Sequence, residues 1–141
     1  MNGRTVTDRH DQLAAEVRVL RDRVVGVTDV VVASVDGLVI TSETDETAGA
    51  EGLAALTAAS FSIARRAGSM SSKGRLHHTV SQFTDGYLVA RAVGDMALIG
   101  VLGDAGMDVQ RLQAEAQESA ERISVLLTAA SGKDEAGHPH Q

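Results

Sequence analysis

The chain has 141 residues, 43% of them hydrophobic, which fits a single domain of about 100–150 residues. Its formal net charge is −6, with 13 basic and 19 acidic side chains, and its only aromatics are Phe61, Phe83 and Tyr87. That excludes the basic footprint and the stacking platforms of nucleic-acid binders. The absence of cysteine excludes disulfides, thiolate metal sites and cysteine nucleophiles. No purely apolar run is longer than Val30–Ala33, far short of the roughly 20 residues of a membrane span. The polar start, residues 1–7, is no signal peptide, so the expected location is the cytoplasm.

Residues 8–25 are predicted to be helical, because Leu13, Val17, Leu20 and Val24 repeat on one face of a 3.6-residue period. Asp8 is the candidate cap and Gly26 the candidate terminator. The β-branched run Val30–Val35 is too short for a helix and reads as a strand. Asp36-Gly37 then predicts a type I′ hairpin turn into Leu38–Thr41. Residues 44–51 form an acidic loop. In a long helix over about 49–73, closed by Gly74, Leu53, Leu56, Ser60, Ile63, Ala67 and Met70 make the main stripe. Ala54, Ala55, Ala58, Ala59 and Ser62 lie beside it and permit close approach of another backbone.

Leu76–Phe83, Tyr87–Val93 and Met96–Leu102 are predicted strands of an antiparallel meander, joined at Thr84-Asp85-Gly86 and Gly94-Asp95. The last is apolar on both faces, as a central strand covered twice should be. Asp108 caps a final helix whose inner face is Val109, Leu112, Ala116, Ala120, Ile123 and Leu127, ended by Gly132. Residues 1–7 and 131–141, the latter carrying Pro139, are expected to be disordered around one domain, residues 8–130. The order α-ββ-α-βββ-α implies an α+β fold: one five-stranded antiparallel sheet with helices on both faces.

No catalytic constellation emerges. Gly68–Gly74 superficially resembles a phosphate loop, but its lysine precedes the glycine and the segment closes a helix, an end that repels phosphate. His77 and His78 are adjacent on a strand and point to opposite faces, so one metal cannot take both; His138 and His140 lie in the tail. Asp36, Asp85 and Asp95 serve turn geometry. There is no Gly-x-Ser-x-Gly elbow. The expectation is no catalytic residue, no metal and no cofactor.

Two features point to interactions instead. The predicted strand 76–83 falls at a sheet edge and carries neither proline nor lysine, the usual devices against edge pairing. Arg65, Arg66, Lys73 and Arg75 are four cations with no acid among residues 65–78 of an acidic chain. Such cations either stabilise the end of the helix and otherwise face water, or form a patch that steers and holds an acidic partner surface.

The element order, together with Val32–Ile40, the alanine-rich helix Leu53–Arg66, Asp85–Val89 and Val93–Asp95 running into Leu98–Leu102, resembles the roadblock (dynein light chain) family over about residues 8–129. The likeness is strongest to bacterial members of the mutual-gliding-protein-B type, which partner Ras-like small GTPases. It implies a non-catalytic homodimer that regulates or scaffolds a GTPase. On that model Leu76, His78, Val80 and Gln82 pair across the edge. Ala55, Ala58, Ala59 and Ser62 lie between protomers, and Arg65, Arg66 and Lys73 meet the GTPase. The alternative from a different class is a profilin-like small-molecule sensor.

Overall fold

The computed structural model describes residues 2–44 and 49–137. The elements run α1 (Asn2–Arg23), β1 (Val27–Ser34), β2 (Val39–Glu43), α2 (Ala50–Met70), β3 (His78–Phe83), β4 (Gly86–Val93), β5 (Ala97–Asp104) and α3 (Val109–Gly137). Every strand pairing is antiparallel, in the spatial order β2-β1-β5-β4-β3. The predicted architecture therefore stands: one five-stranded sheet, with β5 at its centre and β3 at one edge. Most of the acidic loop, residues 45–48, and the histidine-bearing end, residues 138–141, lie outside the described residues.

The two faces of the sheet are filled differently. On one, Val30, Val32, Val89, Val93, Ile99 and Val101 pack beneath α1 and α3, whose inward Leu13, Val17, Leu20, Leu112, Ala116 and Ile123 are buried as their spacing foretold. Fully burying such a side chain contributes about 1.5–3 kcal/mol, so this layer holds most of the core. On the other face α2 lies alone, over Val31, Ala33, Ala90 and Leu98. Gly100 sits beneath Thr57, and a Cβ built there would stand 2.2 Å from the Thr57 Oγ1. The helix can lie this close at Thr57 because Gly100 has no side chain there.

That contact settles which face of α2 points inward, and it differs from the stripe predicted from periodicity. The buried residues are Leu53, Ala54, Thr57, Ala58 and Phe61. Leu56, Ile63 and Met70 are instead 64%, 72% and 82% exposed. Two apolar stripes coexist on this helix, and the one with Ala54, Thr57 and Ala58 between Leu53 and Phe61 takes the sheet, where Gly100, Ala33 and Ala90 leave room for close approach.

Turns and ends bring further corrections. The β1–β2 connection is not a type I′ turn, since the positive φ is confined to Gly37 (+91°) and absent at Asp36. Gly37 N–H donates to Ser34 O and Ser34 N–H to Leu38 O, the three-residue loop closed by a G1 bulge. α1 begins at Asn2 and passes through Asp8, so Asp8 is no cap and the expected unstructured start at residues 2–7 is helical. α3 continues past Gly132 to Gly137, an interior glycine costing only about 0.5–1 kcal/mol. Asp108 does cap α3, accepting from the Arg111 N–H at 3.1 Å. Glu43 binds Arg18 and Arg21 of α1, and Arg122 of α3 binds Glu16 at 3.0 Å, tying the helical layer together.

The Thr57–Gly100 contact makes a direct test of this packing. Gly100→Ala should destabilise the fold by about 1–3 kcal/mol through overpacking, read as a lower Tm. Thr57→Ala in the same chain should recover much of that loss. Equal cost of Gly100→Ala with and without Thr57 would show that the helix does not press on the sheet here.

Candidate interaction surface

The site is an edge and the helix flank beside it. Phe83 pairs with Gly86 across a two-residue turn, and the His77 carbonyl accepts from the Ala92 N–H at 3.1 Å. Odd-numbered residues of β3 thus direct their backbone groups toward β4. By the alternation of an antiparallel ladder, the N–H and C=O groups of His78, Val80 and Gln82 point outward to the open edge. The side chains alternate too. His78, Val80 and Gln82 stand opposite Arg91, Val89 and Tyr87 on the α3 face; Thr79, Ser81 and Phe83 stand on the α2 face. Val80 and Phe83 are 43% and 54% exposed.

The predicted site residues divide. His78, Val80 and Gln82 lie on the open edge. Leu76 precedes the strand and packs instead against Ala58, Phe61, Ala90 and Leu98. Ala55 and Ala58 face the chain's own β1–β2 turn: a Cβ on Gly37 would meet the Ala55 Cα at 3.3 Å and the Ala58 Cβ at 3.5 Å. Their small size admits that turn. Ser62 shares their side of the helix, at about 100° per residue. The opposite flank carries Leu56, Ile63 and Ala67, with Ala59 and Met70 on the outer side. Leu56, Ile63 and Met70, seven residues apart, were hidden from sequence reasoning by their assignment to the core. The signal that finds them is the run of small residues on the facing strands.

Of the basic group, Arg65, Arg66 and Lys73 are exposed, and Arg75 pairs with Asp95 at 2.8 Å. A second cation sits on the α3 face. Arg91 donates to the Gln113 Oε1 at 3.3 Å and lies 3.4 Å from the His78 Nδ1, while its Nε is buried without a partner. Burial lowers the pKa of Arg91. The His78 pKa is also lowered, first by burial and then by the charges of Arg91 and His77. Among the described residues no three His, Asp or Glu converge as metal ligands, and no helix is long and apolar enough to cross a membrane.

Comparison with known proteins gives this arrangement a family. The model of the Roadblock/LC7 domain matches residues 13–103, and the chain belongs to that family. A Roadblock/LC7 domain from Streptomyces avermitilis is 31% identical, covering 79% of this chain and 98% of its own, with a TM-score of 0.59. A second domain from that organism superposes with a TM-score of 0.78 at 24% identity, over 82% of this chain and 97% of its own. MglB of Myxococcus xanthus has the same fold at 13% identity, TM-score 0.76, over 85% of this chain and 90% of its own. No curated protein matches the sequence. The family membership marks a regulatory role exercised through protein–protein contact.

The His78 environment sets a pH dependence. A histidine with a lowered folded pKa favours the neutral form, so its contribution to stability is present above the unfolded value of 6.5 and is lost as pH falls through the folded value. Stability should decline on acidification below about pH 6.5, and His78→Gln should flatten that decline in denaturant titrations. An unchanged pH profile in the variant would place the dependence elsewhere.

Proposed function

We propose that the chain is a non-catalytic homodimer that binds a Ras-like small GTPase and modulates its nucleotide cycle or its localisation. The observation that carries the dimer is the coincidence of an open strand edge with an exposed apolar helix flank. The β3 edge has no proline and no lysine, and among the described residues no helix covers its outer side; monomers manage such edges explicitly. Beside it, Leu56, Ile63 and Met70 leave more apolar surface in water than isolated surface residues do.

A second copy related by a twofold axis removes both liabilities. The two β3 strands pair antiparallel into a ten-stranded sheet, and the two α2 helices pack side by side along Leu56, Ala59 and Ile63. Directly opposed residues share a face, and both α2 helices lie on the same side of the merged sheet. The axis therefore passes through a residue rather than between two. Val80 facing its own copy satisfies this, with His78 opposite Gln82 of the partner subunit. In this arrangement Ala58 is buried within its own protomer, and Ala55 is exposed beside the protomer's own Gly37 turn.

The GTPase meets the outer surface of the paired α2 helices, with Arg65, Arg66 and Lys73 supplying positive charge in an otherwise acidic chain. Solved MglB proteins of the same fold, one of them described in a tetrameric arrangement, support self-association as the working form. Any effect on the nucleotide cycle is set by which nucleotide state the dimer prefers, since a partner shifts an equilibrium only by its differential affinity.

Two measurements test the reading. Ile63→Glu should convert the dimer to monomer in light scattering without loss of helical content; an unchanged mass removes the α2 flank from the interface. The wild-type protein should retain a Ras-like small GTPase from its native lysate in one nucleotide state, and Arg65→Glu with Arg66→Glu should weaken that retention. Failure to retain any GTPase with GDP or a non-hydrolysable GTP analogue removes the partner, and a co-purifying small molecule would favour a sensor.

A further inference from the structure

A cavity of about 260 Å³ lies on the α2 face, between the C-terminal half of α2, the segment leading into β3 and the β4–β5 turn. Its floor is apolar: Phe61, Leu76, Ala92 and Leu98 line it, and these side chains belong to one packed cluster. Its rim is charged. Arg75 and Asp95 close one side through their ion pair, both side chains largely in water. Arg65 stands on the other side and makes no ion pair with any described residue. A void of about 150 Å³ lined by Leu, Ile and Phe already accepts a benzene-sized group, so this cavity has room for one large apolar side chain.

The surface around the mouth continues both characters. Val35 lines the cavity and donates its N–H to the Met96 carbonyl, and Met96 and Leu38 are 70% and 71% exposed. Arg66 and Lys73 extend the positive charge, with no acid among residues 65–78. A small ligand would use only the cavity and one rim cation. A surface that repeats apolar and cationic groups beyond the mouth matches a polypeptide segment, with a central anchor and a polar surround.

We propose that this cavity is the anchor site for an acidic segment of a partner protein. One large apolar side chain of that segment enters over Phe61 and Leu98, and a neighbouring carboxylate pairs with Arg65. Further acids of the segment meet Arg66 and Lys73. Arg75 can exchange Asp95 for a partner carboxylate at little cost, since an exposed ion pair contributes only about 0–1 kcal/mol. The proposal deepens the reading of the basic group as partner-binding and rests on it. It requires neither that the partner be a GTPase nor that the chain be a dimer.

The probe is a fluorescent peptide, acetyl-Asp-Glu-Glu-Phe-Asp-Glu-Asp-amide, titrated into the full chain at low salt, beside the same peptide with Phe replaced by Ala. The expected result is binding that shifts the backbone amide signals of Leu76, Ala92 and Leu98. Affinity should fall about tenfold or more for the Ala peptide, as for loss of an anchor, and by a comparable factor for Arg65→Glu. Arg65 is exposed, so that variant keeps its fold, which circular dichroism checks. Equal binding of the two peptides would mean charge attraction alone and would overturn the proposal. So would an Arg65→Glu variant that binds as well as wild type, or phenylacetate filling the cavity as tightly as the peptide. GTPase retention and solution mass are read on separate samples, so their failure is distinguishable from failure of the anchor site.

Discussion

The closeness of α2 to the sheet is the constraint from which the rest follows. Gly100 beneath Thr57, flanked by Val31 and Ala90 on the neighbouring strands, brings one helix down onto the sheet at a point where no side chain holds it away. A helix seated so deeply turns Ala54, Thr57 and Ala58 inward together with Leu53 and Phe61, and leaves Leu56, Ile63 and Met70 outward. The energetic cost appears at two places: the Thr57 hydroxyl is buried without a hydrogen-bond partner, and Leu56, Ile63 and Met70 remain in water. An unsatisfied buried hydroxyl and three exposed aliphatic side chains are each unfavourable for a monomer. Together they describe a fold that is incomplete on one side.

That side coincides with the open edge of the sheet. Among the described residues α2 is the only helix on its face, and its hairpin flank is occupied by the Gly37 turn. The opposite flank is exposed along Leu56, Ile63 and Met70, and the backbone groups of His78, Val80 and Gln82 face out from the edge. On the proposed reading a single twofold partner closes both. The opposite layer has no such vacancy, since α1 and α3 are joined to each other and to β2 through Glu16–Arg122, Arg23–Glu115 and the Glu43 pairs.

Much of the fold was legible in the sequence because period and turn chemistry agreed. The Leu13, Val17, Leu20 and Val24 repeat, the fully apolar central strand and the Asp108 cap all carry local signals that tertiary packing did not override. The orientation of α2 was not legible, because two stripes with the same period share that helix and periodicity alone cannot rank them. Which one turns inward depends on Gly100, some forty residues away in the chain. The hairpin turn was misjudged for a related reason: Asp-Gly serves both a type I′ turn and a G1 bulge, and the choice belongs to the strand register. At the candidate site the edge strand was readable from its lack of protecting residues, whereas the helix residues beside it were not, since they inherited the error in α2. The Arg65 cavity has no sequence signature, because its lining comes from four separate elements.

Amide hydrogen exchange along β3 bears most directly on the central claim that a second copy closes this edge. The outward N–H groups of His78, Val80 and Gln82 have no backbone partner among the described residues, so a monomer leaves them to water. The account predicts that at concentrations where the dimer forms these three amides exchange as slowly as those of Thr79 and Ser81, and that dilution releases them selectively. Exchange of the three at open-edge rates, at every concentration, would contradict it.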